Sequence, residues 1–261
     1  MRSRWATAKD WGALSHLWAL CFGDAEAVAD AFFDQFPPQR HTRVIALENQ
    51  PMAMVSWLPM EIMAAGEQHP AAYIYAVATH PEARGQSLCR TLMTELEQAL
   101  TEQGLAFAAL CPASSSLYDF YASMGYQTGF YCRNAIISAS NNGADAVEIQ
   151  PEDYRLLRNS LLPTPHCRWD AAAMRYLQKT GVRFFRLSDG FAAACPEPSA
   201  NLRVLELFAQ DEIRAVSTLC HAMGKPAAHV RFRGAESPQG MLKPLSGKQS
   251  FPPLDLGFAF D

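Results

Sequence analysis

Residues 71–104 read AAYIYAVATHPEARGQSLCRTLMTELEQALTEQG. A strand, a basic turn and an amphipathic helix follow one another without a gap. The aromatic and β-branched residues of AAYIYAVATHP, closed by Pro81, predict a strand. Leu88, Leu92, Leu96, Ala99 and Leu100 recur at the spacing of a core-facing helix, and Gly104 supplies its stop. Between them lies the turn Glu82-Ala83-Arg84-Gly85-Gln86-Ser87. A helix start offers unpaired backbone N–H groups and the positive end of the helix dipole. Gly85 lets a bulky anion approach the backbone, and Arg84 adds a formal positive charge. The turn is therefore a candidate cradle for a phosphate-bearing cofactor.

Upstream, residues Trp11–Phe22 and Asp24–Phe36 read as helices. Strands Thr42–Glu48 and Met52–Met63 follow, joined by the turn Asn49-Gln50-Pro51. Downstream come strand Leu105–Cys111, a short helix from about Leu117 with Ser116 and Asp119 as a variant capping box, and strand Gln127–Ser138. Residues 138–146, SASNNGADA, are small and polar and read as a linker. The second half repeats a similar order. Val147–Gln150 is a strand, and Glu152–Leu162 and Asp170–Thr180 are helices. Val182–Leu187 and Phe191–Cys195 form a hairpin around Ser188-Asp189-Gly190. Strand Leu202–Phe208, helix Asp211–Met223 and strand Ala227–Phe232 complete the repeat, which suggests an internal duplication. Met241–Leu245 and Phe251–Leu254 read as extended segments bracing the second half, and Leu254–Phe260 as a final strand. The second half's own turn, Ala209-Gln210-Asp211-Glu212, has two carboxylates and no glycine, so that half is expected to hold no phosphate.

The length of 261 residues fits one large domain or two ordinary ones, and 49% hydrophobic with 18% charged residues describes a soluble globular protein. No apolar run is long enough to cross a bilayer, and the N-terminus MRSRWATAKDWG lacks the apolar region of a secretion signal. Seven cysteines without a framework spacing suit reduced thiols and a cytoplasmic setting. With no CxxC and no HxxxH, no metal site is expected. A net charge of −4 argues against nucleic acid as a partner. Residues 1–140 hold 8 Lys+Arg against 13 Asp+Glu, and residues 141–261 hold 14 against 13. An acidic first half suits a cationic acceptor, and ordinary surface charge accounts for it equally well.

The first half resembles the GCN5-related N-acetyltransferase (GNAT) superfamily. That signature is a strand ending near a proline, then Arg/Gln-x-x-Gly-x-Gly/Ala opening a helix. Here the six positions are Arg84-Gly85-Gln86-Ser87-Leu88-Cys89, with Ser87 in place of the motif's glycine and Cys89 in place of its final glycine or alanine. A second marker, Tyr-x-x-x-Gly-aromatic, matches at Tyr121-Ala-Ser-Met-Gly125-Tyr126. VATHPEARGQSLCRTLM is most similar to the tandem subgroup called enhanced intracellular survival proteins, and the sequence stops without a counterpart of their sterol-carrier-like third region. The fold implied is α/β (α+β), two tandem acyltransferase folds with a mixed central sheet flanked by helices. Residues 1–140 would be the catalytic domain and residues 145–261 a degenerate copy without a cofactor site.

The resemblance implies an acetyl-CoA-dependent N-acetyltransferase acting on a primary amine of a small molecule, peptide or lysine, with acetyl-CoA as co-substrate and no membrane partner. The strand before the turn would splay from its neighbour and admit the pantetheine arm. Backbone groups of Val77, Ala78 and Thr79 would meet that arm, and a backbone N–H near Val77 would polarise the thioester carbonyl. Arg84, Gly85, Gln86, Ser87, Leu88 and Cys89, with Arg90, would hold the pyrophosphate, and Ser116 would also face the cofactor. Tyr121 matches the residue that protonates the leaving thiolate; a packed aromatic with its hydroxyl at a surface is the other reading. The base stays open among Asp24, Glu26, Glu61, His80, the terminal carboxylate of Asp261 and a water relay. Phe22 and Asp24 flank the expected cleft as acceptor contacts, whereas Phe32, Phe33, Phe36 and Trp57 read as core. A Cys111 nucleophile is conceivable, but no local histidine marks it, and a buried inert thiol is the plainer reading. A second hypothesis is a CoA-binding regulator in which Ser87 and Cys89 have ended turnover. A third is transfer of a longer acyl group. The oligomeric state is open, a homo-oligomer included.

Overall fold

The computed structural model describes residues 2–140, 145–247 and 251–260. The first half contains β1 (Arg4–Trp5), α1 (Trp11–Phe22), α2 (Glu26–Gln35), α3 (Pro38–His41), β2 (Thr42–Leu47), β3 (Gln50–Ala64), β4 (Glu67–Thr79), α4 (Leu88–Glu102), β5 (Phe107–Leu110), α5 (Ser115–Ala122) and β6 (Gln127–Ser138). The second contains β7 (Val147–Ile149), α6 (Pro151–Leu161), β8 (His166–Trp169), α7 (Ala171–Lys179), β9 (Arg183–Leu187), β10 (Gly190–Pro196), β11 (Leu202–Phe208), α8 (Glu212–Met223), β12 (Ala227–Arg233) and β13 (Ser237–Pro244). The two halves share one mixed sheet in the order β1-β2-β3-β4-β5-β13-β6-β12-β11-β10-β9-β7, with β8 added beside β3.

Local chemistry sets the elements around the turn. Gly104 takes a φ of 83° just beyond α4, a left-handed conformation that glycine adopts without a Cβ clash. The helix buries Leu88, Leu92, Met93, Leu96, Glu97 and Leu100 against β2, β3 and β4, while Ala99 is only partly buried. The hairpin between β2 and β3 turns on Glu48 and Asn49, both at positive φ, so β3 starts earlier than the Asn49-Gln50-Pro51 turn implied. The short helix begins at Ser115 with Ser114 at its N-cap. Ser116 therefore sits in the first turn rather than at the cap, and its hydroxyl meets that of Ser114 at 3.0 Å.

The largest departure from the sequence reading concerns the end of the chain. Met241–Leu245 does not brace the second half: β13 inserts between β5 and β6 of the first, with Leu242 opposite Ala109 on one side and Gln127 on the other. The residues of β6 alternate between two partners, β13 along Gln127–Cys132 and β12 along Cys132–Ser138. The chain crosses β6 at residues 234–236, where a Cβ on Gly234 would stand 2.9 Å from Arg133 Cβ. Phe251 likewise packs on His69 and Phe107 of the first half. The physical reason is edge pairing. A short central strand such as β5 leaves unpaired backbone groups on its open side, and β13 satisfies them. Leu254–Phe260 is also no strand. It makes isolated bridges at Leu254 and Asp255, and then buries Leu256, Phe258, Ala259 and Phe260 in the core.

One face of the sheet carries α1, α2, α6, α7 and this tail; the other carries α4 and α5; α8 covers the second half's strands. The tail is held by a buried ionic cluster. Arg158, fully buried, pairs with Glu206 at 2.9 Å, Tyr154 donates to Glu206 at 2.6 Å, and Arg233 meets Asp255 at 2.7 Å.

Candidate active site

β4 and β5 run parallel but pair only at Ala71, Ala72 and Tyr73. Beyond Tyr73 the two strands separate, leaving Ile74–Thr79 without a partner on that side. Two features keep them apart. Ala76 has a φ of 49°, and β4 places Ala76 and Val77 opposite the single residue Val55 of β3, a bulge that bends the strand. On its far side β5 is already paired with β13. Val77, Ala78 and Thr79 thus lie along the open edge of a wedge. The carbonyl of Thr79 accepts from Arg84 Nε at 3.3 Å and from Cys21 Sγ at 3.5 Å.

The wedge leads to the turn. Pro81–Ala83 makes a single 3-10 turn, and His80 Nδ1 accepts from the Glu82 N–H at 3.3 Å. Arg84, Gly85, Gln86 and Ser87 are exposed. Gly85 takes a φ of 78°, and a Cβ built on it would meet nothing within 4 Å, so the space beside it is open. Ser87, where the motif has glycine, takes a φ of 59° in the left-handed region. Leu88 is buried into the core under the cradle. Burial pushes the Cys89 thiol up to about 11, so it stays protonated and is a packing group rather than a nucleophile. Arg90 points along the helix surface, donating to Ser123 Oγ at 2.9 Å with its guanidinium 5.8 Å from the Phe120 ring centre. The side chain ties α4 to α5 and leaves Arg84 as the cation at the turn.

Tyr121 lies on the buried face of α5, 7% exposed. Its ring meets those of Phe120 at 5.2 Å and Tyr126 at 5.9 Å. Burial, with Cys89 alongside, pushes its phenol well above the ordinary tyrosine range. No hydrogen bond holds its hydroxyl among the described residues. Ser116 is exposed near the start of the same helix.

Across the sheet, Trp18, Phe22, Phe32, Tyr75, Tyr176 and Phe260 form an aromatic group. Phe22 is 45% exposed, and exposed Asp24 accepts from Trp18 Nε1 at 2.9 Å. Tyr75 and Tyr176 share a hydroxyl contact of 3.1 Å, and burial raises both phenols. Tyr176 comes from α7 and Phe260 from the tail, so the second half supplies part of this wall. Sequence reading missed both, because neither sits in a motif. It did place Phe32, Phe33, Phe36 and Trp57 in the core.

The other base candidates scatter. Glu26 pairs with His16 at 3.1 Å on the surface. Glu61 faces Pro70 across β3 and β4, at the end remote from the wedge. His80 belongs to the turn, and Asp261 lies outside the described residues. Cys111 donates its S–H to the Gln239 carbonyl at 2.7 Å. All seven cysteines are free thiols, no group of metal-binding side chains occurs among the described residues, and no helix there is long and apolar enough to cross a membrane.

In the second half the corresponding helix start is occupied by the chain's own carboxylates. Asp189 accepts from the Gln210 N–H at 2.9 Å and the Asp211 N–H at 3.4 Å, while Asp211 caps α8 through the Arg214 N–H at 3.0 Å. Three of the backbone donors around this helix start are thus taken by the chain's own carboxylates, which also place negative charge where a phosphate would approach.

Residues 2–129 match the family described as Acetyltransferase (GNAT) domain. No curated protein matches the sequence. Among solved structures the chain is similar to a GCN5-related N-acetyltransferase from Anabaena variabilis ATCC 29413, with a TM-score of 0.74 and 17% identity over 94% of this chain and 73% of that one. It is similar to another from Kribbella flavida at 0.71 and 18%, covering 92% and 70%. Eis1 from Mycobacterium abscessus follows at 0.69 and 11%, covering 94% and 74%. These likenesses establish the fold: a mixed sheet flanked by helices, of a size that fits two domains in tandem.

Proposed function

We infer, from the membership of residues 2–129 in the GNAT acetyltransferase family, that this acyltransferase moves an acetyl group from acetyl-CoA to a primary amine. The observation that carries this reading is the splay of β4 from β5 beyond Tyr73, ending at the exposed turn 84–87. The residues fit the donor substrate. The open space at Gly85, the unpaired N–H groups at the start of α4 and the Arg84 charge suit a pyrophosphate. The bulged edge at Val77 and Thr79 offers backbone groups to a pantetheine arm. The paired helix start at α8 supports one donor site per chain.

The amine nitrogen attacks the thioester carbonyl, the C–S bond breaks, the thiolate takes a proton and the nitrogen loses one. Tyr121, held protonated by burial, would give the proton to sulfur. Asp24, which accepts from Trp18 and acts electrostatically on both Tyr75 and Tyr176, would hold an incoming ammonium. An aromatic wall with one exposed carboxylate favours an amine on an apolar body, from a small molecule or a peptide.

Calorimetric titration with acetyl-CoA tests the reading. One site per chain is expected, with Arg84→Ala weakening it by roughly tenfold, about one charge-assisted contact. With an amine that turns over, Tyr121→Phe is expected to lower kcat by about a hundredfold while leaving acetyl-CoA affinity intact. No heat of binding sinks the assignment. Binding without turnover by any amine turns it into a CoA-binding regulator.

A further inference from the structure

We propose that Lys243, carried by β13 from the second half into the first, is a positioning residue for Tyr121. The inference rests on the reading of Tyr121 given above.

The contacts form an unbroken chain. Lys243 Nζ lies 2.6 Å from Glu97 Oε2. Glu97 is 9% exposed on the buried stripe of α4, between Leu96 and Leu100. Its other oxygen accepts from the Tyr126 hydroxyl at 2.9 Å. The ammonium also stands 5.6 Å from the centre of the Tyr126 ring. Tyr126, 2% exposed, sets its ring edge-on to Tyr121 at 5.9 Å and 66°. The turn between them is closed by the Tyr126 N–H to the Tyr121 carbonyl at 3.2 Å. Gly125 keeps that turn open to the lysine stem: a Cβ there would stand 3.4 Å from Lys243 Cε at a φ of 92°.

A carboxylate at position 97 is a poor choice for packing alone. Burying an ionised group is costly unless it is paired, and an apolar residue would extend the stripe. Buried ion pairs are best attested as devices that fix register. Here the pair fixes three elements at once: α4, which starts at the cradle; the turn after α5, which ends the catalytic helix; and β13. Arg90 grips α5 from the same helix through Ser123. The Tyr121 hydroxyl has no hydrogen bond among the described residues, so packing sets where it points. Tyr126 is the wall behind it, and Glu97 with Lys243 holds that wall. A half without a free helix start for phosphate would then still act in catalysis, through one strand and one lysine.

The test compares Lys243→Met, Lys243→Arg, Tyr126→Phe and the double variant Lys243→Met/Tyr126→Phe. The readouts are steady-state kinetics with acetyl-CoA and the fastest amine, and the ring resonances of labelled tyrosine. We expect Lys243→Met to lower kcat about tenfold with KM for acetyl-CoA within about twofold, and to shift the Tyr121 resonance identified through Tyr121→Phe. Lys243→Arg should restore most of the rate. The double variant should be no slower than the slower single, since both act through one contact chain. Independent, multiplying effects would overturn the proposal, as would a lower melting temperature with kcat and the Tyr121 resonance unchanged. If Lys243→Met fails to fold, Lys243→Met/Glu97→Gln removes both charges and carries the same comparison. An unchanged kcat in Tyr121→Phe removes the reading of Tyr121 and this inference with it. A large loss in Tyr121→Phe beside an unaffected Lys243→Met overturns this inference alone.

Discussion

Ser87 shows how much one side chain at a turn decides. The family motif asks for glycine there, and the structure gives the reason: the residue sits at a φ of 59° and ψ of 17°. An L-residue in that region costs roughly 1–2 kcal/mol that glycine avoids. Ser87→Gly should therefore raise stability by about 1 kcal/mol while acetyl-CoA binding stays equal or tightens. A thermal melt and a titration check it, and a lower melting temperature would show that the serine hydroxyl holds the turn. Tyr121 gives a second prediction. A general acid works only while protonated, and an ordinary tyrosine loses its proton near pH ~10. Burial displaces that loss upward here. The rate should thus show no alkaline fall from this group below about pH 10. A pH profile of kcat falling near pH 8, with the fall absent in Tyr121→Phe, would contradict it. The places of both residues, one at the turn before α4 and one on α5, were legible in sequence because their motifs encode local backbone geometry.

Elements were legible where the apolar period is strong. α1 and β6 have the bounds that their patterns predict, and α4 departs only at its frayed end. The cap of α5 was not legible, since three consecutive serines at 114–116 offer equivalent caps and only the backbone turn selects Ser114. β13 was legible as extended chain but not by partner. Its place depends on Gly240, which lies against β5: an added Cβ would stand 2.8 Å from the Leu110 carbonyl oxygen and 3.2 Å from Phe130 Cδ2. Gly240→Ala should cost about 1–3 kcal/mol by overpacking, seen as a lower denaturation midpoint. Since β13 also carries Lys243, the folded fraction should turn over more slowly. Loss of stability at full specific activity would separate the strand's structural part from its catalytic one.

At the scale of the molecule, the tail and the second half close the aromatic wall of the first. Phe260 stacks on Tyr176 at 6.0 Å and meets Tyr73 and Tyr75 at 5.5 and 5.7 Å. Its anchor includes His166, which is 2% exposed, pairs through Nδ1 with the Pro163 carbonyl at 3.2 Å and has a buried Nε2 without a partner among the described residues. Burial, with Arg158 nearby, lowers its pKa from 6.5 to about 4. The unfolded chain takes up this proton below pH 6.5 and the folded one only near pH 4. Stability should therefore fall as pH drops through that window, by about 3 kcal/mol in total, and level off below it. Melting curves across the window check this; His166→Gln should flatten the decline, and an equally steep decline in the variant would assign it to other groups. Gly257→Ala should free the tail, because a Cβ there collides with Glu206 and Arg158. The expected cost is at least about 2 kcal/mol, and reduced affinity for the amine without a change in acetyl-CoA affinity should accompany it.

The amino-acid sequence by itself determined the strand–turn–helix of the cradle, the tyrosine on the short helix and the repeat of elements, because these follow from periodicity and turn chemistry within a few tens of residues. Only the tertiary structure decided which strand completes the first sheet, that Tyr176 and Phe260 pack against Tyr75, and that Lys243 reaches Glu97. Those pairings join residues far apart in the chain, and backbone edges, buried charges and ring faces choose their partners by what folding brings alongside, which no local pattern records.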